Sequence, residues 1–258
     1  MMKDRKKLEK YFMALWIAIL LLAWYLASTV FSVSPLILPG FPAIWETFKD
    51  SVINGELLYQ IYYSLKIIVT GLFFSVLTAL LFSLLSERCL LLSSLGKVLT
   101  VLGHPLPALA LLPLIIVWFG TGDLSIIVII IHSALWPIMI NLEEGFSRVK
   151  PLYLEVGRNL GLNSVEMILE IRLKSAFGYL LAGLKIAFAR SWRALIGAEM
   201  VFGAIGDKGG IGWYIFKQRT FMNTSGLFVG ILVVVVIGIL VETVLFRWLE
   251  NKTVRKWG

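Results

Sequence analysis

Six stretches of the chain, near residues 11–31, 61–86, 98–119, 124–141, 177–205 and 227–249, approach the roughly 20 apolar residues a helix needs to cross a bilayer. No other feature narrows the fold as far. In hydrocarbon every backbone N–H and C=O must find its partner inside the protein, so such stretches become helices packed as a bundle. The expected fold is an all-α membrane protein with six transmembrane helices. Composition agrees: 16% of the 258 residues are charged, against about a quarter in soluble domains. An even number of spans puts both termini on one side.

Basic residues say which side. With the N-terminus in the cytoplasm, the inner segments carry Lys3, Arg5, Lys6, Lys7, Lys10, Arg88, Lys97, Arg148, Lys150, Arg158, Arg172, Lys174, Arg247, Lys252, Arg255 and Lys256. The outer segments carry Lys49, Lys208, Lys217 and Arg219. Sixteen against four makes both termini cytoplasmic. The net charge of +8 therefore reflects loop placement rather than nucleic-acid binding. The opening KDRKKLEK before an apolar run has the outline of a signal peptide, but the run is too long for an h-region, and an uncleaved first span is expected. The one cysteine, Cys89, excludes an intrachain disulfide.

The third span, GHPLPALALLPLIIVWFG, contains Pro105, Pro107 and Pro113. Proline frees carbonyls that neighbouring helices or a wet cavity must satisfy, so this span is expected inside the bundle. The loop 206–226 is expected outside, dipping back toward the membrane edge with Trp213, Tyr214 and Phe216. Its GAIGDKGGIGW lacks the Lys-Ser/Thr step of a phosphate cradle and reads as a flexible or gating loop.

One cytoplasmic stretch, EVGRNLGLNSVEMILEIRLK (155–174), is polar and glycine-punctuated yet carries apolar stripes. Leu152, Val156 and Leu160 recur four apart, and Val165, Ile168, Leu169 and Leu173 share a second helical face. Between them Gly161 suits the left-handed residue that ends a helix, and Asn163 with Glu166 forms a capping-box pattern. Two short helices meeting at a glycine hinge are expected. Neither is long enough to be stable alone in water. Their stripes must be covered, either at the membrane surface or in a groove of a cytoplasmic partner. Periodicity leaves both open.

Charges inside the spans stand out because burying one in lipid costs roughly 2.5–3.5 kcal/mol on insertion scales. The fifth span carries Lys185, Arg190, Arg193 and Glu199. At about 100° per residue Arg190 and Arg193 form one basic edge, and Glu199 lies on the opposite side from Arg190. They either pair between helices and snorkel, or line a pathway that favours an anion. Arg190, Arg193, Glu199 and Trp192 are the pathway candidates. His104 and His132 fall in different spans without companion Cys, Asp or Glu ligands, so no metal site is expected.

The 155–174 stretch resembles the signature loop of ABC-transporter permeases: Glu-Ala-Ala, then a glycine, then a closing Ile-x-Leu-Pro. Glu155 stands at the glutamate, Gly161 at the glycine, and Ile171 and Leu173 at the closing aliphatics; Val156, Gly157 and Lys174 depart from the pattern. LPGFPAIWETF, PLPALALLPLIIVWFG and LAGLKIAFARSWRALIGAEM are similar to segments of the nitrate/sulfonate/taurine branch. The resemblance implies a type I importer permease fold in the cell membrane. It assigns 1–58 to the N-terminal segment, first span and external loop, 59–249 to the core permease with its coupling loop at 145–175, and 250–258 to a cytoplasmic tail. It also implies partners: ABC ATPase subunits, an extracellular substrate-binding protein and a second permease subunit, with a homodimer expected. Glu155, Val156, Gly157, Gly161, Leu162, Ile171 and Leu173 would meet the ATPase, Glu155 anchoring or capping the first short helix. No cofactor is expected in this chain, since ATP and magnesium would sit on the ATPase.

The substrate class that follows is a small anion such as a sulfonate, taurine or nitrate, with a thiamine or riboflavin precursor as the alternative. An enzyme needs a nucleophile–base or metal constellation, and two histidines with one cysteine supply none. A secondary carrier would show an internal inverted repeat, of which the sequence shows none clearly.

Overall fold

The computed structural model describes residues 2–31, 33–203 and 209–253. Residues 204–208, with Lys208 of the expected gating loop, and 254–258, with Arg255 and Lys256 of the tail, lie outside the described residues. Among those described, every regular element is helical. In chain order they are α1 (Met2–Thr29), α2 (Phe41–Ile53), α3 (Glu56–Ser86), α4 (Leu90–Gly103), a 3-10 turn (Ala108–Leu111) leading into α5 (Leu112–Phe119), and α6 (Asp123–Ser147). Then come α7 (Pro151–Asn159), α8 (Ser164–Glu166), a π-helical segment (Met167–Arg172), α9 (Leu173–Phe202), α10 (Ile211–Thr220) and α11 (Thr224–Leu240), which passes through a second π segment (Val241–Phe246) into α12 (Arg247–Lys252).

Among the described residues, four helical runs are long and apolar enough to cross a membrane: Lys7–Thr29, Glu56–Ser86, Asp123–Ser147 and Thr224–Lys252. A fifth is added if the pair Leu90–Gly103 and Ala108–Phe119 counts as one span bent by 92°. The bend has a covalent cause. Pro105 and Pro107 lack the N–H a helix needs and push the residues before them out of helical geometry. Pro113 sits in the first turn of α5, where a missing N–H costs nothing. Residues 177–202 of the fifth stretch fall in α9, which is 30 residues long. Lys174, Lys185, Arg190, Arg193 and Glu199 keep α9 below the hydropathy of the others.

At the centre α6 packs along α9 and against α3. Glycines allow the helices to touch. A Cβ on Gly183 would stand 3.0 Å from the Pro137 carbonyl oxygen and 3.2 Å from Ile138 Cα, and one on Gly145 only 2.8 Å from Ala176 Cβ. Between helices in lipid there is little hydrophobic drive, so close van der Waals packing through small residues does the holding. Pro137 does not break α6; it lies buried against α9. The segment expected to dip toward the membrane is α10, with Ile211, Gly212, Tyr214 and Ile215 buried. Ser51 and Tyr214 share a 2.8 Å hydrogen bond, and Lys217 meets Glu56 at 2.7 Å, tying α10 to α2 and α3.

Candidate functional site

Local bonds build the cytoplasmic element. Pro151 opens α7 within its first turn. It closes with the Leu162 N–H donating to Gly157 O at 3.0 Å and the Gly161 N–H donating to Arg158 O at 3.0 Å, the paired bonds of a Schellman ending. Gly161 takes φ +74°, which only glycine adopts freely. Two residues later the Asn163 carboxamide accepts from the N–H groups of Val165 and Glu166, while Glu166 accepts from the Asn163 N–H at 2.8 Å. The second rod is not a separate short helix. α8, the π segment and α9 run on continuously, so the hinge sits at the foot of a membrane-length helix.

Gly157 is buried in this hinge: a Cβ there would come 2.5 Å from Met167 Sδ and from Ile171 Cδ1, so its bareness lets α7 press on the π segment. Leu162 and Ile171 close the same contact, and Leu173 begins α9. Arg172 pairs with Glu87 at the end of α3, which fixes the rod to the bundle. Val156 and Leu160, by contrast, stay 46% and 74% exposed, and Leu152 is exposed with them. Their stripe borders a groove of about 920 Å³ walled by Tyr153, Ile171, Phe177 and Tyr179. Glu155 is exposed and makes no hydrogen bond or ion pair among the described residues.

A second site lies at mid-span. A cavity of about 370 Å³ is lined by His104, His132, Ser133, Trp136, Arg190 and Arg193, with Leu106 to Leu109 as its apolar wall. Arg190 is 17 residues into α9, about 26 Å along its axis of about 45 Å, so the cavity sits near the middle of the helix. The Arg190 fork donates to His104 Nε2 at 2.9 Å and to the His104 carbonyl at 3.2 Å. Because guanidinium can only donate, Nε2 is the acceptor and the His104 proton sits on Nδ1. The carbonyl so used is one the proline-broken helix sets free. Neither Arg190 nor Arg193 pairs with a carboxylate among the described residues.

The other pathway candidates sit elsewhere. Trp192 is buried, stacks on Phe188 with centroids 6.0 Å apart, and donates to Val234 O at 3.2 Å, packing α9 on α11. Glu199 is 2% exposed and accepts from Ser64 Oγ at 2.7 Å and the Gly212 N–H at 2.8 Å, while Ser64 Oγ accepts from the Ile211 N–H at 2.9 Å. A carboxylate at the positive end of α10 is electrostatically favoured, and it clamps α10 to α9 and α3. Lys185 and Glu242 stand 3.7 Å apart, pairing α9 with the second π segment.

His104 and His132, expected to be apart, line one cavity with Trp136. Sequence reasoning passed over them because spacing along the chain says nothing of which helices meet. The proline cluster was the available signal, since a bend in the third span is what carries His104 inward.

The family described as binding-protein-dependent transport system inner membrane component matches residues 71–255. The chain is 30% identical to the putative aliphatic sulfonates transport permease protein SsuC of Bacillus subtilis, over 93% of this chain and 85% of that one. It is 26% identical to the taurine transport system permease protein TauC of Escherichia coli, over 88% and 82%. It is 28% identical to the nitrate import permease protein NrtB of Leptolyngbya laminosa, over 77% and 71%. With its described elements all helical, four or five apolar runs among them and this match over most of its length, the chain belongs to the inner-membrane permease components of binding-protein-dependent ABC transporters, on the nitrate/sulfonate/taurine branch.

Proposed function

We propose that this permease conducts a small anion, such as a sulfonate, taurine or nitrate, and is driven through α7 by a separate ATPase that holds ATP and magnesium. The observation that carries the motor half is the apolar stripe of Leu152, Val156 and Leu160. It is exposed on a helix whose C-terminal end is fixed by its own hydrogen bonds. A helix-in-groove partner would cover that stripe. Because α8 continues into α9, a push on α7 would reach Arg190 and Arg193 along one element. In this reading α9 completes six spans, residues 59–249 form the core, and both termini are cytoplasmic. A binding protein delivers the anion, and a second copy of the chain completes the pathway.

The substrate half rests on two arginines beside a mid-span cavity that have no carboxylate partner among the described residues, and on relatives named for sulfonate, taurine and nitrate. The test is uptake of labelled methanesulfonate, taurine and nitrate into proteoliposomes holding permease, ATPase and binding protein. ATP-dependent uptake of at least one, lost in the R190Q/R193Q double variant while the complex stays assembled, is the expected result. Equal uptake by the double variant would remove the anion assignment.

A further inference from the structure

The two ends of α9 meet different structures. Its foot continues from the hinge below α7, and its far end carries Glu199, which holds α10. From Leu173 to Glu199 the axis rises about 39 Å. That exceeds the roughly 30 Å hydrocarbon core, so α7 and α10 stand on opposite sides of the membrane. The far contact is shaped around the carboxylate. A Cβ on Gly210 would overlap both Glu199 Oε1 and Ser64 Oγ, and one on Gly212 would overlap the Ile196 carbonyl oxygen of α9. The two glycines therefore let α10 start directly against the α9 backbone, with the acid at its first turn. Among the described residues the other polar ties of α10 run to α2, through Ser51 and Tyr214, and to α3, through Lys217 and Glu56. The tie at Glu199 is the one that reaches the helix continuous with the hinge. Apolar residues of similar size would hold two helices at least as firmly as a buried charge does. A carboxylate adds register, because parting it from its donors leaves a buried charge unmet. The contact is whole or lost, and α10 cannot creep along α9.

We infer that Glu199 is a positioning residue for transport: it makes α10 move as one piece with α9, so that ATP-driven movement of α7 reaches the opposite face and docking at that face reaches α7. It touches no cargo. The inference rests on the import reading and adds to it the joint through which the two sides of the membrane act together.

The complex of full-length permease, ATPase and binding protein is placed in nanodiscs, and hydrogen exchange of the α10 amides is followed before and after ATP with vanadate traps the ATPase closed. Trapping should change the exchange of residues 211–220 in the wild type. E199L keeps a side chain of similar size but accepts no hydrogen bond, and G210A pushes the carboxylate aside while leaving it in the chain. In both, trapping should leave α10 unchanged, and the rise in hydrolysis caused by loaded binding protein should be lost while unstimulated hydrolysis is retained. Y214F cuts the tie to α2 instead and should behave as the wild type. The joint is overturned if α10 fails to respond in the wild type, or if E199L and G210A respond and are stimulated normally. It is equally overturned if both rates of hydrolysis fall together, the mark of a merely structural role, or if Y214F fails in the same way. If α10 responds in the wild type yet none of the three anions is imported, the import reading falls while the joint stands.

Discussion

In the cytoplasmic element the decisive bonds join near neighbours: Leu162 to Gly157, Gly161 to Arg158, Glu166 to Asn163. In the mid-span cavity the hydrogen-bonded pair Arg190 and His104 is separated by 86 positions, and the walls come from the bend after α4, from α6 and from α9. The first region keeps its shape wherever its helix is carried. The second exists only while three helices hold their packing, and it changes when they slide. A mechanical handle needs the first property and a site that opens and closes needs the second.

The widest break in this comparison comes from Gly183→Leu. The side chain would enter the α6 backbone, and overpacking at such a contact costs about 3 kcal/mol or more. Size-exclusion chromatography in detergent should show aggregated or missing protein, since the cavity cannot form without that packing. Next is R190Q/R193Q, in which the cavity loses its charge but both helices remain. Anion uptake should fall at least tenfold while the ATPase still co-purifies with the permease.

Changes in the hinge should be smaller because each touches one local device. Gly161→Val places a β-branched residue at φ +74° and should lower stability by about 1–2 kcal/mol, read as a fall in Tm. Asn163→Ala removes the cap and should cost about 1 kcal/mol. Both should leave anion binding at mid-span intact. The least effect belongs to Arg172→Gln. Its ion pair with Glu87 is about 30% exposed on either side, and such pairs contribute about 1 kcal/mol or less.

The same contrast explains what could be read from the chain alone. Apolar runs marked six stretches, because bilayer thickness fixes helix length; among the described residues four helical runs, or five with the bent pair, are long and apolar enough to cross. Gly161, Asn163 and Glu166 marked the hinge, because a helix end and a helix start are chemical events within a few residues. That the second rod continues into α9 was hidden: an apolar stripe looks the same on a short helix and on the first turns of a long one. Helical geometry put Arg190 and Arg193 on one edge, and both line the cavity. It also put Trp192 about 200° from Arg190, a sign that it faces away, as its contact with Val234 shows. The convergence of His104, His132 and Trp136 depends on the 92° bend and on which helices then meet, and neither is encoded in spacing.

The most direct test of the account is the V156D/L160D double variant in proteoliposomes with ATPase and binding protein, measuring ATP hydrolysis and anion uptake together. Charging the exposed stripe of α7 should abolish uptake and end the stimulation of hydrolysis by loaded binding protein, while the permease itself stays folded. Uptake and stimulated hydrolysis at wild-type levels would show that α7 is not the handle, and the account would fail.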